Sequence, residues 1–437
     1  MLNRLGLDRP ELRAWAMYDW ANSAFQTTII ASIFPIYFHR VVAADLGGPL
    51  ATERFAWATT IAILIVAIIA PVLGAIADYA GVKKRMLAVF VAFGAAATAA
   101  MVGIGRGDWM AALVLFVIGN VGVAGSIVFY ESLLPHIASQ QELDRVSSAG
   151  YAIGYLGGGV LLAINVVMIQ KPGWFGLADA GAATRWAFAS VAVWWVVFSF
   201  PLFLRVPEPK RLLEADETGG ERPVTAALRR LAVTLRELRS YKQAFLLLLA
   251  FLLYNDGIQT IIRMATTYGA EIGLGEVAMM TALLITQFVG IPCAFLFGML
   301  AGRIGAKAAV FLGLAVYVGI TILGYGLRTE GQFFALCVLV GTVQGGTQAL
   351  SRSLFASMIP KDKSSEFFAF FGVFERYAGV LGPAIFAWTV SQTGSSRNAI
   401  LSVIAFFVIG AAILSFVNVE EGRRGARLAE QRAHAEA

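Results

Sequence analysis

The sequence predicts an all-α polytopic membrane protein of twelve spanning helices built as two related halves, and three observations carry that reading. Of 437 residues, 58% are hydrophobic and only 14% charged, against about 25% charged in soluble domains. Apolar runs of about twenty residues recur along the chain, each long enough to cross a hydrocarbon core about 30 Å thick. Two of these runs carry the same polar stripe. Asp19, Asn22, Ser23 and Gln26 stand at i, i+3, i+4 and i+7, as do Asp256, Gln259, Thr260 and Arg263. That spacing is one helix face. Each stripe opens with a tyrosine close before the aspartate, Tyr18 and Tyr254, and a repeated stripe in corresponding places suggests an internal repeat of the transporter kind.

The predicted spans follow in order. The first, 15–38, carries the Asp19 stripe. The next five are 55–77, 86–105, 109–133, 147–169 and 185–204, and together they make an N-terminal half over 1–204. In the fifth, Gly150, Gly154, Gly157 and Gly158 form a small-residue face suited to close helix packing. Residues 205–243 are a central connection. Prolines at its start stop the sixth helix. Val224, Leu228, Leu231, Leu235 and Leu238 then share a face with arginines between them, which reads as a basic amphipathic helix on the membrane surface. The second half, 244–418, holds spans 244–267, 277–301, 308–327, 333–358, 366–390 and 397–418. In its eleventh span, Gly379, Gly382 and Pro383 again suggest close packing. The charged tail, 419–437, is expected to be disordered. Loop lysines and arginines fall roughly three to one on the side holding both termini, so both ends are expected in the cytoplasm.

Several classes are excluded. A net charge of +6 suggests nucleic acid in a soluble protein, but here the basic residues flank apolar helices, and no nucleic-acid partner is expected. Cys293 and Cys337 lie in apolar runs and make no disulfide framework. His39, His136 and His434 are scattered, so neither a metal site nor any other cofactor is expected. No phosphate-binding loop is present, which argues against a built-in ATPase. An enzyme is not expected. The first apolar segment contains Asp19 and is too long for a removable signal peptide.

The charged and amide residues inside the spans are the functional candidates. Asp256 lies roughly 18 Å along a helix beginning at Ala244, near the middle of the bilayer. A carboxylate there costs several kcal/mol unless it faces water or protein. The candidate binding residues are Asp19, Asn22, Gln26, Asp256, Gln259, Arg263, Gln344 and Gln348. For Gln344 and Gln348, helix-to-helix hydrogen bonding and cavity lining are equally open readings. Glu131 and Arg352 occupy matching ends of the fourth and tenth spans with opposite sign, and are expected to meet and close the cytoplasmic side. Snorkelling of Arg352 to the interface is the plainer alternative. For Glu375 and Arg376 the expected role is an ion pair with a neighbouring helix, because adjacent helical residues point about 100° apart.

Between the second and third spans stand Gly74, Asp78, Gly81, Lys83, Lys84 and Arg85. This spacing resembles the loop signature of the major facilitator superfamily, with Tyr79 where an arginine is usual. The second half echoes it as Gly298, Gly302, Arg303, Gly305 and Lys307. Four stretches are more specific: 18–24, 148–159, 256–260 and 345–354. These resemble the autophagy-related vacuole effluxer-like branch of that superfamily over nearly the whole chain. The resemblance implies two pseudo-symmetric six-helix bundles, with the first, fourth, seventh and tenth spans lining a cavity, and secondary transport by alternating access.

The expected function is therefore export of a small polar metabolite such as an amino acid, with proton coupling as a further expectation. Asp19 and Asp256 would take an ammonium and Arg263 a carboxylate. A sugar or other polar solute is the alternative cargo, and a non-transporting membrane receptor or scaffold the alternative class. The partners expected are the small-molecule solute and the lipid bilayer of a bacterial inner membrane, with the chain acting as a monomer.

Overall fold

A computed structural model describes residues 7–80, 82–138, 143–208, 236, 238–359, 367, 371–372, 374–375 and 377–436. Among the described residues every regular element is helical, and nine stretches are long and apolar enough to cross a membrane.

The first span is not one straight helix. Helix α1 (Pro10–Phe25) opens with a proline in its first turn, where the missing N–H costs nothing. It then widens into π-helical turns over Gln26–Ala31, resumes as α2 (Ile33–Tyr37) and widens again over Phe38–Val42. The sequence predicted an unbroken helix over 15–38. Two groups perturb the ladder. Pro35 removes a backbone donor, and Thr27 donates its hydroxyl into the carbonyls of Ser23 at 3.0 Å and Ala24 at 3.3 Å. Insertions of this kind are the usual causes of bends and π-turns.

The remaining helices are α3 (Gly48–Ala80), α4 (Lys83–Ala100), α5 (Trp109–Ile137), α6 (Leu143–Gln170), α7 (Ala180–Arg205), α8 (Lys242–Glu271), α9 (Glu276–Ile304), α10 (Ala306–Tyr325), α11 (Glu330–Ala356), α12 (Leu381–Thr393), α13 (Ser396–Ser402), α14 (Ile404–Ser415) and α15 (Val419–Glu436). They divide into two compact units, Met1–Ala51 with Ile61–Leu228, and Thr52–Thr60 with Arg229–Ala437. Inside the first unit α1 packs on α6 and α7, and α4 on α5. Inside the second, α8 packs on α12 and α14, and α10 on α11. In span order, each unit packs its first helix on its fifth and sixth and its third on its fourth, as an internal repeat requires.

Each unit has its own aromatic core. In the first, Phe34 stacks on Phe116 at 5.2 Å and meets Phe188 edge-on at 5.8 Å, with Trp195 fully buried nearby on α7. In the second, Phe251 stacks on Phe371 at 4.5 Å and Tyr317 on Phe407 at 5.3 Å.

The amphipathic helix proposed within 205–243 falls outside the described residues, apart from 236 and 238–243, where Leu238 is fully buried. The tail expected to be disordered is instead α15. Its alanine, glutamate and arginine are strong helix formers, and a small-residue face, Gly422 and Ala426, is buried. A Cβ on Gly422 would come 2.6 Å from Met358 Sδ. Gln243 ties α15 to α8, donating to Glu421 at 2.8 Å and accepting from the Asn418 N–H at 2.8 Å. Charge content alone misses this docking.

Candidate transport site

Both units use one clasp to hold the first helix against the fourth. Tyr18 Oη donates to Ser126 Oγ at 2.6 Å, while Ser126 donates to the Val123 carbonyl. Tyr254 Oη stands 2.5 Å from Ser351 Oγ, and Ser351 donates to the Thr347 carbonyl. The serine proton is engaged in each case, so the tyrosine is the donor. The tyrosine ahead of each polar stripe thus registers α1 on α5 and α8 on α11.

The aspartates that follow are held differently. Asp19 is half-buried and accepts from Tyr130 Oη at 2.8 Å. Trp15 stacks on that phenol ring with centroids 4.4 Å apart. The Asp19 carboxylate faces the glycines of α6, where a Cβ on Gly150 would come 2.6 Å from Oδ2. Asn22 is buried and returns its amide to the Tyr18 carbonyl at 2.9 Å. Gln26 is exposed, at the first π-helical residue.

Asp256 is 1% exposed and caps another helix. Its Oδ2 accepts from the Leu381 N–H at 3.0 Å and its Oδ1 from the Gly382 N–H at 2.8 Å. Leu381 and Gly382 open α12, and no side chain of its own caps that helix. A helix start leaves its first backbone donors without partners. Here two go to Asp256, and the third residue, Pro383, has none to offer. The approach demands glycine: a Cβ on Gly382 would fall 1.7 Å from Thr260 Oγ1 and 2.7 Å from Asp256 Oδ1. Just upstream Gly379 takes φ +101°, a conformation that side chains resist. The eleventh span is therefore broken at 378–380, and Gly379 and Pro383 were its legible signals.

Other candidates divide. Gln348 Nε2 donates to Asn255 Oδ1 at 3.2 Å, so Gln348 joins α11 to α8. Asn255, which the sequence reading passed over, keeps Nδ2 buried without a partner. Gln259 and Gln344 are half-buried. Arg263 is half-buried as a residue, but its Nε and Nη1 are buried with no hydrogen-bond partner. Beside α8 lies an apolar pocket lined by Thr260, Met264, Tyr268, Cys337, Val340 and Phe386 among others.

The loop residues act as caps. Lys84 Nζ donates to the Phe203 and Val206 carbonyls at the end of α7. Lys307 Nζ does the same for Ser415 and Val417 after α14. Cations suit helix C-termini, so the repeated basic loop holds the sixth helix of each half. Lys83 is buried with Nζ 3.0 Å from His136 Nε2. Gly74 and Asp78 fall on α3, but the Asp78 side chain, like all of Gly81 and Arg376, lies outside the described residues. Arg352 pairs with Glu375 at 3.1 Å, and Glu131 is exposed on α5.

With this arrangement in hand, the relatives of the chain are informative. A family model described as vacuole effluxer Atg22 like matches residues 7–427. The chain belongs to that family. The uncharacterized MFS-type transporter YxiO of Bacillus subtilis (strain 168) is 35% identical over 411 residues, 93% of this chain and 94% of its own. Autophagy-related protein 22 of Yarrowia lipolytica is 26% identical over 315 residues, 65% of this chain and 52% of its own. Among solved structures, a variant of the nucleoside transporter NupG aligns with a TM-score of 0.67 at 13% identity, covering 93% of this chain and 99% of its own. A bacterial homolog of the human lysosomal transporter Spinster aligns at 0.65 and 14%, covering 94% and 96%. Together these establish the major facilitator fold and a multi-pass membrane transporter, not an enzyme.

Proposed function

We propose that this family member is a secondary active transporter that works by alternating access and exports a small polar metabolite such as an amino acid, coupled to protons. Polar groups on the first span of each unit carry the reading: half-buried Asp19 on α1 and exposed Gln26 just after it, and half-buried Gln259 and Arg263 on α8. Polar groups within apolar spans are costly and mark solute or ion paths. The loop charge bias supports cytoplasmic termini in this reading, with the chain in a bacterial inner membrane and acting as a monomer.

The aspartates have unequal parts in this reading. Asp19, held by the Tyr130 phenol at 2.8 Å and the Asn22 amide at 3.5 Å, keeps acceptor capacity for a solute ammonium. Asp256 has both oxygens engaged by backbone donors, which supports a positioning role for it. A sugar-like or nucleoside-like solute is the second reading, favoured by the amides of Gln26, Gln259 and Gln344, which serve hydroxyl groups equally well.

The test is counterflow in proteoliposomes with a labelled panel of amino acids, sugars and nucleosides, with and without an imposed pH gradient. Movement of at least one amino acid, faster with the gradient, is expected. Movement of sugars or nucleosides alone selects the second reading. No dependence on the gradient removes proton coupling.

A further inference from the structure

Arg263 sits inside the span Lys242–Glu271, about 10 Å along α8 from Asp256 on nearly the same face. A guanidinium in an apolar span is expensive unless an anion or water meets it. No protein group among the described residues meets its Nε or Nη1, which are buried and unbonded. Among the described residues no ion pair includes Arg263. The obvious counter-charge, Asp256, has its oxygens on the first two N–H groups of α12. A structural arginine would show the bonds that Arg352 shows to Glu375 or Lys84 to the carbonyls ending α7. Gln259, half-buried one turn earlier on the same face, adds an amide donor. The apolar pocket beside α8 is lined by Thr260, Met264 and Tyr268 rather than by Arg263 or Gln259.

We propose that Arg263, assisted by Gln259, is an anion subsite that takes the carboxylate of the solute. The guanidinium is planar, permanently charged and matched to a carboxylate's two oxygens. The inference rests on the transport reading and sharpens it. The obligatory feature of the solute is its acid group. A solute stripped of its amine is still held; one whose carboxylate is an amide is not.

Purified full-length protein is melted in detergent with acetate, with acetamide and with chloride at fixed ionic strength, for wild type, Arg263→Gln and Arg263→Lys. Acetate should raise the wild-type midpoint and acetamide should not. The apparent acetate affinity should fall on the order of tenfold or more in Arg263→Gln, as loss of a charge-assisted hydrogen bond implies. Arg263→Lys keeps the charge but not the fork, and should fall between. Equal protection by acetate and acetamide overturns the subsite, and this arm needs no variant to fold. So does acetate protection of Arg263→Gln equal to wild type. The second arm is counterflow with each amino acid, its amide and its deaminated acid: acids should exchange and amides should not. Amides exchanging as well as acids sinks the subsite. If nothing exchanges, transport as proposed fails, while the acetate arm still decides the subsite.

Discussion

Removing the Asp256 carboxylate should unfasten one end of α12. In Asp256→Ala two backbone donors lose their acceptor. The Gly382 N–H is buried and the Leu381 N–H partly so. Leaving a buried donor unsatisfied costs about 1–3 kcal/mol, with the partly exposed donor at the low end. A further fraction of a kcal/mol comes from losing negative charge at a helix N-terminus. The sum is about 2–5 kcal/mol, a large share of the ~5–15 kcal/mol that holds a typical protein folded. At about 2–4 °C per kcal/mol, the melting midpoint should drop by roughly 4–20 °C. Asp256→Asn keeps one oxygen but turns an NH2 toward the other donor, so about half that drop is expected. The local readout is hydrogen exchange by mass spectrometry. Peptides covering 378–390 should exchange faster in both variants, while those from α10 stay as in wild type. Gly382→Ala, whose Cβ would overlap Thr260 Oγ1, should give the same pattern with the carboxylate intact. Wild-type melting and wild-type exchange over 378–390 in Asp256→Ala would show that the carboxylate is not the cap.

Other outcomes follow from the same geometry. Tyr18→Phe and Tyr254→Phe each delete a hydrogen bond to a serine whose own proton remains bonded, and Tyr18→Phe also removes the long one from Trp195 Nε1 at 3.4 Å, so each should cost at least about 0.5–1.5 kcal/mol, measured by thermal melting. A loss in only one half would break the repeat argument. Lys84→Met and Lys307→Met remove the cation from the ends of α7 and α14, and each should lower stability by about 1 kcal/mol and loosen the last turn of its helix in hydrogen exchange. The Arg352–Glu375 pair is partly exposed, at 41% and 29% of the side chains, so either single charge reversal should cost little stability, about 1 kcal/mol or less. Transport lost in each single reversal should return in Arg352→Glu with Glu375→Arg, and failure to recover would remove the pair from the cycle. Gly422→Leu should release α15, read as new protease sensitivity after Val419 with the spans unchanged.

The sequence disclosed the repeat better than the use of its charges. The stripes at Asp19 and Asp256, with their leading tyrosines, are local patterns, and helical spacing is enough to place them. What each carboxylate touches is not local. Asp256 meets Leu381 and Gly382, which lie 125 and 126 residues away. The two acids look alike in sequence, yet one meets a phenol and the other a helix start. The break in the eleventh span was visible only as Gly379, Gly382 and Pro383, a set that close packing explains equally well until φ at Gly379 is known. The tail failed for a different reason: alanine, glutamate and arginine make both good helices and good disordered segments, and the burial of Gly422 and Ala426 decides between them. The lysines after Gly81 and Gly305 read as charge against a membrane, whereas Lys84 and Lys307 also close helix ends.

The difference between the two acids has a mechanical consequence. In the first unit the helix facing Asp19 is continuous from Leu143 to Gln170, so its glycines only allow α1 to lie close. In the second, the helix facing Asp256 restarts at Leu381, and its first donors belong to α8. Segment α12 is therefore tied to α8 by charge-assisted bonds, while 378–380 joins it to the residues before it through a glycine with positive φ. A rigid element moves with the neighbour that holds it most strongly and bends where its own ladder is interrupted. Any displacement of α8 on binding at Arg263 would carry α12 along and be absorbed at Gly379. A cysteine pair linking Met264 on α8 to Phe386 on α12, which line one pocket away from the subsite, should then leave transport intact, whereas Gly379→Ala should slow it without weakening acetate binding. The opposite pattern would mean that α8 and α12 slide past one another and that the capping bonds break in each cycle.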